Sequence, residues 1–317
     1  MLHRARRAIR SRVEATLVGR ARLVRRLLVA TGRERSPHLP EIVQIESTNI
    51  CNAKCVFCPR DDMKRRQGVM EMGLYRKVID ECVALGIEHV RMHNYGEPFI
   101  DRQLVEKVRY AKARGVPQVG MISNGSLITD DVARGMIEAG LDAINISVDA
   151  SGREIFEKTR IGLKYDKVIA GIERLLRIRA ELGRVRPKMI LSFVRQNDSE
   201  DERAFIEHWR ARVDKIHVTD LHNWAGTLNR QADVNYPCYR PWLTFTVLWD
   251  GRVALCCADF DGREILGDLR TSSIRDVWNG EAYQRVRRLH LESGGPDICT
   301  ACDLPKKDSP LWITKLA

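Results

Sequence analysis

Residues 42–58 read IVQIESTNICNAKCVFC: a short apolar strand, Ile42–Ile45, then a polar loop in which Cys51, Cys55 and Cys58 are separated by three and then two residues. Three thiols gathered in one loop look like a ligand set. A cubane iron–sulfur centre carries four irons and ordinarily takes four thiolates, so three ligands leave one iron open to bind another molecule. Structural zinc would want a fourth Cys or His close by. The next candidates, Cys82 and His89, lie within or beyond a predicted helix, which argues against zinc here.

Downstream, strand and helix patterns alternate. Short apolar runs at His89–Met92, Gln118–Ile122, Ala143–Val148, Lys188–Val194 and Lys215–Thr219 join the first strand, six in all. Between them, helical periodicity marks Met72–Leu85, Asp101–Arg114, Thr129–Ala139, Asp166–Leu182 and Glu200–Arg212. Six βα units predict an α/β fold with a parallel sheet. Ligands of such sheets bind beyond the carboxyl ends of the strands. Cys82 falls inside an apolar helical pattern and reads as core.

The period breaks at His222-Asn223-Trp224-Ala225-Gly226, where a domain boundary is expected. Beyond it, alternating residues on either side of Asp250-Gly251 predict a hairpin of Thr244–Trp249 and Arg252–Cys256, and a helix is predicted from Ser273 to Leu289. Cys238, Cys256, Cys299 and Cys302 form a second set of four, with Cys257 left over beside Cys256. Four thiolates would close an iron–sulfur cluster, and they also suit structural zinc.

Composition narrows the function. The 317 residues are 44% hydrophobic and 30% charged, as in ordinary globular proteins, and no apolar run approaches the ~18 residues of a membrane span. No secretory signal is legible at the N-terminus, so the nine cysteines point to metal rather than disulfides and to a cytoplasmic setting. Of the net charge of +11, nine units come from residues 1–36, which hold eleven Arg against Glu14 and Glu34. Ile9, Val13, Leu17, Ala21, Val24 and Leu28 recur there at helical spacing, so the segment reads as a basic amphipathic helix. It suits an anionic membrane surface, an acidic partner, or packing on its own domain. A zinc-stapled nucleic-acid binder is the rival of another class, but the nearly neutral body and the βα series argue against nucleic acid.

The spacing Cys-x3-Cys-x2-Cys after a first strand, with Phe57 before the last Cys, resembles the radical S-adenosylmethionine (SAM) superfamily. The resemblance implies a partial (β/α)6 barrel over residues 37–223, with a [4Fe–4S] cluster on Cys51, Cys55 and Cys58. It further implies that the cluster cleaves SAM to a 5′-deoxyadenosyl radical, which takes a hydrogen atom from substrate. Tyr95-Gly96-Glu97-Pro98 is similar to the family's Gly-Glu motif, which implies a cofactor-binding role for Gly96 and Glu97. Asn124 after strand three, Ser147 and Asp149 at the end of strand four, and Arg160 follow as cofactor contacts. Ser147, Asp149 and Arg160 read equally well as helix caps or ion pairs. Residues 224–317 resemble the SPASM/twitch extensions. Full SPASM domains use about seven cysteines, so the resemblance implies one auxiliary [4Fe–4S] cluster on Cys238, Cys256, Cys299 and Cys302.

Two reactions compete. Radical epimerases of this kind return a hydrogen atom from a Cys thiol, which makes Cys257 the candidate catalytic donor. Dehydrogenation of a carbinol to a ketone instead sends an electron to the auxiliary cluster. Some aminocyclitol dehydrogenases place an Arg in the loop after strand six, where this chain has residues 222–226 without one, which tilts the expectation towards epimerisation. Peptide modification is a further alternative, but the short N-terminal segment is no winged-helix leader-binding domain. A small polar substrate is expected: a sugar, aminocyclitol or glycolipid, approached by His93, Asn94, His217, Asp220, His222 and Asn223. A reductase such as flavodoxin or ferredoxin is the expected partner.

Overall fold

The computed structural model describes Ser36 and residues 39–195, 199–228, 238–292 and 295–304. Of the expected basic helix of residues 1–36, with its membrane or partner contacts, all but Ser36 lies outside the described residues.

The six expected strands form within a residue or so at each end: β1 (Ile42–Ile45), β3 (His89–Arg91), β4 (Gln118–Ser123), β5 (Ala143–Ser147), β7 (Lys188–Val194) and β8 (Lys215–Thr219). Helices α1 (Met72–Ala84), α2 (Leu104–Ala113), α3 (Asp130–Glu138), α5 (Tyr165–Glu181) and α6 (Ser199–Trp209) separate them. The helix starts follow local chemistry. Thr129 caps α3 by accepting from the Val132 N–H at 3.3 Å, and Asp130 and Asp131 face the positive end of the dipole. A small arm was not anticipated: α4 (Arg153–Thr159) runs into β6 (Arg160–Ile161), which pairs antiparallel with β2 (Lys54–Cys55) in the cysteine loop.

Neighbouring strands of the series β1-β3-β4-β5-β7-β8 are parallel. Paired residues share a face, so the register sorts the strands into two layers. Val43, Val90, Val119, Met121, Ile144, Ile146, Met189 and Leu191 lie on one face, buried in the main hydrophobic core. Gln44, Arg91, Asn145, Ser147, Ser192 and His217 share the other. The first face is uniformly apolar and carries the main core, whereas the second sets these polar side chains among Ile122, Ala143 and Ile190.

The C-terminal region extends this same sheet. After the short helix α7 (Arg240–Leu243), β9 (Thr244–Val247) lies parallel to β1 on the edge opposite β3. The predicted hairpin is completed by β10 (Arg252–Ala254), and β11 (Ile265–Asp268), not anticipated, adds a third strand to give nine in the order β11-β10-β9-β1-β3-β4-β5-β7-β8. The helix expected from Ser273 to Leu289 is two: α8 (Ile274–Trp278) and α9 (Glu281–Glu292), followed by α10 (Asp297–Thr300). The chain breaks at Asn279-Gly280, where a Cβ on Gly280 would stand 2.9 Å from the Asp276 carbonyl oxygen. Among the described residues no helix is long and apolar enough to cross a membrane.

Lys107 and Asp101 form an ion pair of 2.6 Å beneath α2, with side chains 0% and 1% exposed, and Lys107 also donates to the Met70 carbonyl at 2.5 Å. Removing one partner of such a pair strands a buried charge. Lys107→Met should destabilise the protein by about 3–5 kcal/mol in urea unfolding. Adding Asp101→Asn, which keeps the acceptor for the Gln103 N–H, should recover more than half of that loss.

Candidate active site

At the carboxyl ends of the barrel strands the structure encloses a cavity of about 260 Å³. The cysteine loop forms one wall through Cys51, Cys55, Phe57 and Cys58, and the turns after β3 and β4 form another through His93, Tyr95, Gly96, Glu97 and Asn124. Ser147, Arg160 and Val194 line it from the side, and Asp220, Leu221, His222 and Trp224 close it after β8.

The cysteine loop is held by polar side chains at its root. The Asn49 amide donates to the Arg66 carbonyl and accepts from the Gly68 N–H, both at 2.9 Å. Thr48 Oγ1 accepts from the Ile50 N–H at 3.1 Å. The β2–β6 pairing then sets Cys55 opposite Arg160. Burial raises the pKa of all three thiols, and pushes Cys58 up to about 12. Cys51 feels the charge of Cys55, and Cys58 feels those of Cys55 and Cys51, so the three share one space. Among the described residues no three His, Cys, Asp or Glu side chains converge tightly enough to share one metal ion.

Arg160 lines the cavity together with two other cations, Lys54 and Arg60. It pairs with Asp149, places Nη1 3.6 Å from Cys55 Sγ and lies over the Phe57 ring at 5.4 Å from its centre. Its Nε is buried on the cavity wall with no hydrogen-bond partner, an orphan donor suited to a ligand carboxylate. Asp149 is not on the wall. It adopts a left-handed conformation with φ of 61° and accepts from the Val194 N–H at 2.9 Å, so it anchors Arg160 to β7.

Glu97 is buried, and burial raises its pKa. Its carboxylate accepts from the Phe99 N–H at 3.2 Å, the Ser123 hydroxyl at 2.8 Å and the Asn124 N–H at 2.7 Å, binding the turns after β3 and β4 together. Gly96 has a φ of 86°, and a Cβ there would stand 2.5 Å from the Thr48 carbonyl oxygen, so only glycine lets this turn meet the cysteine loop. Asn124 continues the link by donating to the Asn52 side chain at 2.9 Å. Ser147 is on the wall and accepts from the Ser192 hydroxyl at 3.3 Å.

The second cysteine set also converges. Cys256 feels Cys299 and Cys302, and Cys238 acts on both of those. Burial pushes Cys302 up to about 12. Cys257 does not line the cavity. Its backbone carbonyl accepts from the Tyr95 hydroxyl at 2.7 Å, so Tyr95 stands between the cavity and the second set. Tyr95 and Trp224 pack with ring centres 5.7 Å apart, and Phe260 lies 6.0 Å from Tyr95 on another side. Trp224 and Arg60 on the wall were not singled out from the sequence, where no spacing marks them.

Comparison with known proteins agrees with this geometry. Residues 45–184 match the radical SAM superfamily, and residues 238–303 match the SPASM iron–sulfur cluster-binding domain. The chain belongs to the radical SAM superfamily and carries a SPASM domain. That membership brings a [4Fe–4S] cluster, SAM and auxiliary iron–sulfur binding. The probable GTP 3′,8-cyclase of Metallosphaera sedula is 31% identical over 187 residues, covering 57% of this chain and 56% of the relative. That of Methanopyrus kandleri is 33% identical over 132 residues, or 41% and 42%. The chain thus spans about half the length of the curated relatives it matches. Among solved structures, BtrN in complex with AdoMet and 2-DOIA has a TM-score of 0.60 at 20% identity, covering 84% of this chain and 93% of BtrN. Streptococcus suis SuiB bound to precursor peptide SuiA has a TM-score of 0.66 at 13% identity, covering 86% and 71%.

Arg160→Lys keeps the charge but loses the planar fork. It should leave iron content unchanged and weaken SAM binding by about tenfold or more in anaerobic calorimetry. Alanine at Cys51, Cys55 and Cys58 together should remove about four irons per chain and abolish 5′-deoxyadenosine formation with dithionite.

Proposed function

We propose that the protein abstracts a hydrogen atom from a carbinol carbon of a small polar substrate, a sugar or aminocyclitol, and oxidises it to the ketone. The observation that carries this reading is the cavity itself: the cysteine loop is on one wall, and His93, Asn94, Ser147, Asp220 and His222 stand among apolar residues around the rest. When bound, the cofactors supply the radical that removes the hydrogen atom and an acceptor for the electron left behind.

The chain's own residues then have separable tasks. Arg160, Asn124 and the Gly96-Glu97 turn hold the SAM end of the cavity, and Cys51, Cys55 and Cys58 would hold the first cluster. Cys238, Cys256, Cys299 and Cys302 would hold a single auxiliary cluster. His93 faces substrate. It is buried, its Nδ1 has no hydrogen-bond partner, and burial with Arg91 nearby lowers its pKa to about 3. A neutral imidazole in that place can accept from a substrate hydroxyl without adding charge. His222 and Asp220 on the same wall offer the proton acceptors that oxidation of a carbinol needs. Tyr95 separates substrate from the second cysteine set by one aromatic layer, which supports electron transfer out of the cavity.

Epimerisation, with Cys257 as hydrogen-atom donor, is the second reading. It is favoured by the hydrogen bond between the Cys257 backbone and the cavity-lining Tyr95. Turnover of candidate sugars and aminocyclitols in D2O separates the two. Oxidation should give a ketone with one 5′-deoxyadenosine per product and no solvent deuterium at the reacting carbon. Deuterium at an inverted carbon, lost in Cys257→Ala, would establish epimerisation instead. His93→Phe should raise KM for the substrate by about tenfold while leaving SAM affinity unchanged.

A further inference from the structure

The turn after β8 is more constrained than a cavity wall requires. Trp224 and Ala225 both have positive φ, 48° and 55°, and Gly226 follows at 82°. Two consecutive non-glycine residues in the left-handed region persist only where their surroundings over-determine them. Here the surroundings are the C-terminal cysteine turn. The Asn223 N–H donates to Asp303 Oδ1 at 3.0 Å, and the Asp303 N–H donates back to Asn223 Oδ1 at 3.1 Å. Asn223 Nδ2 donates to the Ala301 carbonyl at 2.6 Å. A Cβ on Gly226 would stand 2.7 Å from that of Ala301, so the two turns are in direct contact. These partners flank Cys302.

On its other side the same turn grips the first cysteine loop. Trp224 Nε1 donates to the Phe57 carbonyl at 2.7 Å, one residue before Cys58, and the Trp224 ring packs on Tyr95. Three residues therefore run from the turn beside Cys302 to the turn beside Cys58: Asp303, Asn223 and Trp224. We infer that Asn223 and Trp224 are positioning residues through which the C-terminal cysteine turn sets the geometry of the first cysteine loop, and with it SAM binding. Folding of the second cysteine site then prepares the first, although the wall residues of the two are separate.

The inference does not depend on which substrate is oxidised or epimerised. A double-mutant cycle on the reconstituted full chain tests it, with SAM as the probe. Trp224→Phe keeps the ring and loses only the N–H, and Asn223→Ala removes both side-chain bonds to the C-terminal turn. Each should weaken SAM binding about tenfold at unchanged iron content, and the double variant should bind no more weakly than Trp224→Phe alone. The reduction potential of the first cluster, measured without SAM, should shift in both single variants, which a residue acting only as cavity wall would not cause. Unchanged affinity and potential in Trp224→Phe would overturn the proposal. So would losses that multiply to about a hundredfold in the double variant, because the two residues would then act independently.

Discussion

Glu46 and Arg65 form a two-pronged ion pair, with Nη1 and Nη2 of the arginine 2.6 and 2.5 Å from the two carboxylate oxygens and both side chains almost wholly buried. Glu46 closes β1, and Arg65 returns from the far side of the cysteine loop. Arg65 Nε also donates to the Phe260 carbonyl at 2.7 Å, and Asp261 accepts from the N–H groups of Lys64 and Arg65. The Trp249 N–H, from the β9–β10 turn, reaches the same carboxylate at 3.2 Å. One buried pair thus ties the first strand, the cysteine loop and the C-terminal hairpin together. Such a pair is a poor source of net stability, since desolvating both charges offsets most of their attraction. Its value lies in position: every lone pair is directed, so the segments meet in one arrangement.

That arrangement explains how two cysteine sets far apart in sequence come to flank one cavity. β1 is flanked by parallel partners on both edges, β3 on one and β9 on the other. The hairpin therefore extends the barrel sheet instead of forming a separate one. Beyond β10 the chain leaves the sheet and residues 257–261 turn back to meet Tyr95 and Arg65. Burial pushes the thiols of both sets up in pKa, Cys58 and Cys302 each to about 12. Burial raises the cost of a thiolate left without a metal, and so links loading of each site to its fold.

What the sequence made legible follows from the range of the interactions involved. The six strands and five helices of the barrel are written in period and in local caps, and the first three cysteines in spacing. The split between α8 and α9 was missed because an amphipathic pattern runs through Asn279-Gly280, and only the close approach to Asp276 shows the break. β11 lacks strong alternation and exists because β10 offers it an edge. Glu97 was read as a cofactor contact, and it does line the cavity, but its hydrogen bonds to Ser123 and Asn124 reach 26 and 27 residues away and have no local signature. The same holds for Trp224, whose partner Phe57 is 167 residues distant.

The inner face of the barrel bears on substrate more directly than any single motif. Gln44, Arg91, Asn145, Ser147, Ser192 and His217 share one face of the sheet with Ile122 and Ile190, so polar groups are set among apolar ones there. The Gln44 amide already donates to Asn94 at 3.0 Å, whereas Asn145 Oδ1 is buried without a partner. An orphaned buried acceptor costs on the order of 1–3 kcal/mol unless water or a ligand satisfies it. His93 Nδ1, on the cavity wall, is likewise buried without a partner. Radical chemistry adds a second demand, because a carbon radical is quenched by any weak X–H bond within reach. Tyr95, packed against Trp224 and Phe260, lines the cavity, and Cys257 does not. On the proposed reading, polar groups orient the substrate and the aromatic contacts limit what its radical can meet.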